Sequence, residues 1–180
     1  MGGVRILEWL APAVPVAEVD WNAVYAGEMP RVFNFFRYRG FERATAEDLT
    51  SAVFEKAWRA RERYRKDRAG ISTWLLAIAR NVAIDHLRRS RPAVPLEEAS
   101  LRDEETPETA ALREAQSRRL RALLGALSER DRELLALKYG ANATNRAIAT
   151  ITGLSESNVG TILHRTVGAL RDRWDEGGRP

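Results

Sequence analysis

Residues 92–109, PAVPLEEASLRDEETPET, limit what this chain can fold into more than any other stretch. Three prolines, six carboxylates and one arginine share eighteen positions. A proline inside a helix removes a backbone donor and collides with the preceding turn, so no helix runs comfortably through this spacing. The stretch is also too polar to enter a core. It predicts a flexible acidic linker, and the 180-residue chain must therefore build its apolar interior from the two flanks.

Both flanks carry helical spacing. Val32, Phe35 and Phe36 recur at three and one, and Leu49, Val53, Phe54 and Ala57 follow i, i+4, i+5, i+8. Pro30 suits the first turn of a new helical segment. Thr45 with Asp48 resembles a capping box, which predicts a helix from there to about Arg61, followed by the charged loop RERYRKDRAG. Beyond the linker, LREAQSRRLRALLGALS has apolar helical spacing. Ser128 with Asp131 caps ERDRELLALKY, which Gly140 can terminate. A short helix over about Thr144–Ile151, a turn at Gly153 and a longer helix capped by Ser155 complete the series. No run alternates with period two for long. The expectation is an all-α chain of two small helical domains: a poorly ordered leader (1–20), a first domain (21–91), the linker (92–109), a second domain (110–176) and a tail (177–180).

Several chemistries drop out at this level. There is no cysteine, and the two histidines, His86 and His164, stand far apart, so neither a disulfide framework nor a metal centre is expected. No stretch offers the roughly 20 apolar residues of a membrane span, so no membrane insertion is expected. A net charge of +4 is modestly basic, and its distribution says more than its size.

The segment NRAIATITGLSESNVGTILHR meets the demanding positions of a helix-turn-helix. Ala149 is small where two helices cross, Gly153 accepts the positive φ of the turn, and Val159 faces the core, with Ile148, Leu154 and Ile162 as apolar supports. Ser155, Ser157, Asn158, Thr161, His164 and Arg165 remain as a polar face that would enter a major groove. An ordinary helical hairpin, with Gly153 and Ser155 as simple caps, is the plain alternative.

In ISTWLLAIARNVAIDHLRR, Trp74, Leu75, Ile78, Val82 and Leu87 occupy much of one side of a helix. Asn81, Asp85, Arg88 and Arg89 lie near another. The loop before it, from Arg59 to Arg68, adds five arginines and Lys66 around Tyr64. Cations favour phosphates, and aromatics among them offer stacking surfaces for unpaired bases. The same residues also fit a solvated helix end with Trp74 as a core anchor.

The strings AEDLTSAVFEKAW, STWLLAIARNVAIDHLRR and LSERDRELLALKYGANATNRAIATITGLSESNVGTILHRTVGALR resemble, in that order, the second and fourth conserved regions of bacterial extracytoplasmic-function (ECF) sigma factors. The resemblance covers about residues 21–175. It implies a non-catalytic specificity subunit of RNA polymerase in the bacterial cytoplasm, without cofactor or small-molecule substrate. Its implied partners are core RNA polymerase, promoter DNA as duplex and as melted single strand, and an anti-sigma factor. Asp48, Leu49, Phe54 and Trp58 then fall on the helix that docks on the polymerase, although the three apolar residues also suit a core. Tyr64, Arg65, Lys66, Trp74, Asn81, Asp85, Arg88 and Arg89 fall on the surface that captures the melted minus-10 strand. Ser155, Ser157, Asn158, Thr161, His164 and Arg165 fall on the helix that reads the minus-35 duplex. The linker is implied to thread the polymerase cleft. The chain departs from the family pattern at Ser51 and Ala52, where Gln and Glu are common, and at Gly160 and Ile162, where a Lys or Arg is common.

Two rival classes separate from this reading on chemistry. A stand-alone helix-turn-helix regulator would bind intact duplex without polymerase. A nucleic-acid enzyme lacks its parts: Asp85 has no carboxylate partner close in sequence, no Gly-rich phosphate loop is present, and neither histidine has an evident base or nucleophile beside it.

Overall fold

The computed structural model describes residues 19–66, 68–89, 115–116, 118–120 and 122–176. Most of the expected leader, the linker and the tail lie outside the described residues. Among those described there is no strand.

Helix α1 spans Trp21–Arg39. Asp20 starts it, its carboxylate accepting from the backbone N–H of Asn22 at 3.0 Å and Ala23 at 3.1 Å. Gly40 stops it, with φ 98 and an N–H donated to Arg37 O. Pro30 lies inside this helix and does not begin a new one. Its ring is exposed, and Val32, Phe35 and Phe36 just beyond it are fully buried, so packing carries the helix through the missing hydrogen bond.

Helix α2 spans Arg43–Ala60 and runs into a 3-10 turn, Arg61–Arg63. The capping box expected at Thr45 is not used: Ala46 N–H already donates to Glu42 O at 2.8 Å, which places Thr45 inside the first turn. Helix α3 spans Ile71–Arg89 and buries Leu75, Leu76, Ala79, Val82 and Ala83. Leu87, expected on that buried side, is exposed because the stripe ends with Ala83.

Helix α4 falls within 115–125. Helix α5, Glu129–Leu135, is capped by Ser128, whose hydroxyl accepts from Asp131 N–H at 3.1 Å. It continues into one π turn, Ala136–Gly140. Helix α6, Asn145–Thr152, is capped by Thr144 accepting from Ala147 N–H. Helix α7 spans Glu156–Glu176, with Ser155 Oγ accepting from Asn158 N–H at 3.2 Å.

Gly153 between α6 and α7 has φ 77, and a Cβ there would meet nothing within 4 Å. The left-handed backbone alone requires glycine. Gly153→Ala is expected to cost about 1–2 kcal/mol, measured as a lowered urea midpoint at unchanged slope.

The two flanks of the linker share one apolar cluster, which includes Phe35, Phe36, Leu75, Leu76, Leu134, Leu137, Ile148 and Val159. Helix α1 lies against α5 and the π turn, and α3 against α6. Arg39, buried at the end of α1, reaches Glu133 Oε1 at 2.8 Å and Glu129 Oε2 at 3.0 Å, and Arg80 Nε lies 3.2 Å from Glu133 Oε2. Arg31 donates to the carbonyls of Ala141 at 2.9 Å and Asn142 at 3.3 Å, and to Ser72 Oγ at 2.9 Å. Gly140 does not end its helix through a positive φ. It is small because a Cβ there would sit 2.8 Å from Asn34 O and 2.9 Å from Tyr38 Cβ on α1.

Candidate nucleic-acid interface

The α6–turn–α7 unit sorts its residues as a helix-turn-helix requires. Ile148, Ile151, Val159, Ile162 and Leu163 are buried, while Ser157, Asn158, Thr161, His164 and Arg165 are exposed. Those five repeat at i, i+1, i+4, i+7 and i+8, so they share one side of α7. Ser155, placed on the same face from sequence, spends its hydroxyl on the cap. Thr161 Oγ donates to Ser157 O at 3.0 Å, leaving its oxygen lone pairs turned outward to accept. Gly160 is not forced by crowding, because a Cβ there would lie 3.6 Å from Asn145 Nδ2, an ordinary contact. Arg146, exposed on the first turn of α6, adds a cation that the sequence reading did not single out.

Helix α3 presents a second polar face. Asn81, Arg88 and Arg89 are exposed, and Asp85, half exposed, stands 3.9 Å from Lys56 on α2. Asn81, Asp85 and Arg88 fall at i, i+4 and i+7 and point away from the buried stripe of Leu75, Ala79, Val82 and Ala83. In the loop before α3, Lys66 is exposed and Arg65 half-buried.

The expectation that Tyr64 and Trp74 offer surfaces for stacking bases is corrected by their burial. Both rings lie inside the core. Their centroids lie 5.2 Å apart, and each meets Trp21 edge-on, at 6.5 Å and 6.2 Å. Tyr64 donates its hydroxyl to Ala69 O at 3.2 Å, and burial raises its pKa above the usual phenol value. The pair anchors the loop; it does not lie open on it. Trp21 completes this cluster from the first turn of α1, and only its apolar bulk hinted at that part.

On α2 the four docking candidates separate. Asp48 is exposed and Trp58 is 53% exposed, with the Arg61 guanidinium 4.2 Å over its ring. Leu49 is buried, because Leu49, Val53 and Ala57 form the stripe that faces the core, so it offers no area to a partner. Phe54 is half-buried, its ring 4.7 Å from that of Tyr25. Tyr25 and Met29 on α1 are themselves exposed, which makes an apolar patch of Tyr25, Met29, Phe54 and Trp58. The α1 contribution was missed because Tyr25 and Met29 precede the apolar repeat that defined the helix.

The comparisons with known proteins fall on the same two units. The family model Sigma-70 region 2 matches residues 24–92, and Sigma-70, region 4 matches residues 117–170. The ECF RNA polymerase sigma factor BldN of Streptomyces coelicolor is 28% identical over 171 residues, covering 92% of this chain. The ECF RNA polymerase sigma factor RpoE of Cereibacter sphaeroides is 33% identical over 66 residues, 37% of this chain. The chain spans 64% of the length of the first relative, and the match covers 36% of the second. Two solved structures share the fold. CnrH, in complex with the cytosolic domain of CnrY, has a TM-score of 0.67 and 21% identity, covering 89% of this chain and 92% of that one. RpoE of Bartonella quintana, in complex with the anti-sigma factor NepR, has a TM-score of 0.68 and 16% identity over 85% of this chain and 95% of that one.

Proposed function

We propose that this chain, which belongs to the extracytoplasmic-function sigma factors, directs core RNA polymerase to particular promoters as a non-catalytic subunit in the bacterial cytoplasm. Helix α7 reads the minus-35 element as duplex through Ser157, Asn158, Thr161, His164 and Arg165. Helix α3 takes up the melted minus-10 strand through Asn81, Asp85, Arg88 and Arg89. Asp48 and the patch of Phe54 and Trp58 dock on the polymerase, with Tyr25 and Met29 extending that patch. The similar structure solved with the anti-sigma factor NepR supports a partner of that kind. No helix among the described residues is long and apolar enough to cross a membrane.

The observation that carries this reading is the pair of polar faces on separate helices, each backed by a buried apolar stripe, in the order of regions 2 and 4. One face suits a groove of intact duplex, and the other combines an amide, a carboxylate and two guanidiniums, donors and acceptors suited to the edges of an unpaired base. Run-off transcription with added core enzyme tests it on a promoter library. Asn81→Ala with Arg88→Ala is expected to cut strand opening at least tenfold, seen with a base-analogue fluorophore in the minus-10 element, while closed-complex formation stays within twofold. Normal opening by that variant would remove α3 from the role.

A further inference from the structure

Away from the seam where the two flanks of the linker meet, two arginines hang helix α4 between the ends of its neighbours. At the carboxyl end of α4 the side chain of Arg132, 18% exposed, gathers three backbone carbonyls. Its Nε donates to Leu124 O at 3.2 Å, and its Nη2 to Gly125 O at 2.9 Å and Leu127 O at 3.1 Å. A helix leaves its last carbonyls without partners, so a cation fixed among them closes the end of α4 onto α5. Further back along α4, Arg119 does the same for α7. Its guanidinium donates to the carbonyls of Arg173, at 3.5 Å, and of Trp174, and lies over the Trp174 ring, 4.6 Å from its centre.

That contact falls where α7 has least other support. Val159, Ile162, Leu163 and Thr166 are its buried residues, and none after Thr166 is buried. Beyond it only Val167, Leu170 and Trp174 are half-buried among the side chains that follow. The reading residues, Ser157 to Arg165, lie on the first half of the same rod. A tilt of about 10° about Ile162 moves Ser157, five residues nearer the start, by about 1.3 Å. Contacts to base edges hold only when their atoms stay within about 0.5 Å of the productive geometry, so the tilt of α7 decides whether its face reads.

We propose that α4 is a brace for the reading helix, with Arg119 as a positioning residue: stacked on Trp174, bonded to the end of α7 and anchored in turn through Arg132 on α5, it holds α7 at the tilt that brings Ser157, Asn158, Thr161, His164 and Arg165 to a duplex together. The proposal rests on the reading of α7 given above. Without the clamp α7 rocks about its four buried residues, and only the fraction of molecules at the right tilt binds, so the apparent affinity falls by that fraction. Arg119 itself contacts no phosphate, because its guanidinium is committed to α7.

The full chain assembled with core polymerase tests this on duplex fragments carrying the minus-35 element alone, by fluorescence anisotropy across a salt series. Arg119→Ala and Trp174→Leu are each expected to weaken binding about fivefold, and the double variant no further, because the two side chains act as one clamp. The salt slope should stay at the wild-type value, whereas loss of a phosphate ligand would lower it by about one unit. Amide hydrogen exchange over 168–174 should quicken in both variants while 159–166 stay protected. Faster exchange with undiminished affinity would make the contact a local cap and overturn the brace. A slope lowered by about one unit in Arg119→Ala would make Arg119 a phosphate ligand and overturn it as well. Both of these leave the sigma-factor reading standing. A wild-type chain that gives core polymerase no promoter preference would overturn that reading and the brace with it.

Discussion

Arg39→Ala is expected to destabilise the docked fold by about 3–5 kcal/mol, because it leaves a buried carboxylate without its nearest cation. The Arg39 side chain is 3% exposed and that of Glu133 9%, so water cannot replace the missing partner. Arg80, at 23% exposure, stays beside Glu133 and places the expected value toward the lower end of that range. Glu129, the second acceptor of Arg39, is 60% exposed, and Glu129→Ala should cost no more than about 1 kcal/mol. Urea unfolding followed by circular dichroism separates the two variants. Equal midpoints would mean that the cluster is solvated and contributes little.

Arg165→Ala is the change expected to affect duplex binding most. Arg165 is the one arginine among the five exposed residues on the face of α7, and Gly160 and Ile162 beside them supply no charge. Duplex affinity should therefore depend on it heavily. Loss of a phosphate contact would weaken every sequence alike and reduce the salt slope by about one unit, whereas loss of a bidentate base contact costs about 1–3 kcal/mol at one position. Filter binding of minus-35 duplexes across a salt series distinguishes these two outcomes. Binding to core polymerase should be unchanged, and equal loss of both activities would place Arg165 in a structural role.

The features legible in the sequence were those decided locally. Ser128 and Ser155 cap the helices they precede because a cap depends on three or four consecutive residues. Gly153 was legible for the same reason, as were the exposed faces of α7 and α3, which arise from periodicity. Pro30 and Thr45 misled because tertiary packing overrode a local signal: Val32, Phe35 and Phe36 hold α1 together past its proline, and Ala46 draws the start of α2 back toward Glu42. Tyr64 reads from sequence as a stacking surface and Trp74 as that or a core anchor; Trp21, far away in sequence, draws both into the core. Nothing local marked Arg39 or Glu133. Arg39 resembles any cation in a last helical turn, and Glu133 any acid between Arg132 and Leu134. Only their meeting across the seam distinguishes them from the chain's other charges.

The π turn at Ala136–Gly140 sets a condition on chain length. Each residue added to or removed from a helix rotates every later residue of that helix by about 100° about its axis. The π turn already holds one residue more than an α turn, so a further insertion between Leu135 and Gly140 would swing the glycine away from Tyr38 and turn a side chain toward the backbone of Asn34. A lengthened turn should therefore be tolerated no better than a side chain at Gly140 itself, so the number of residues in this stretch is fixed as firmly as their identity.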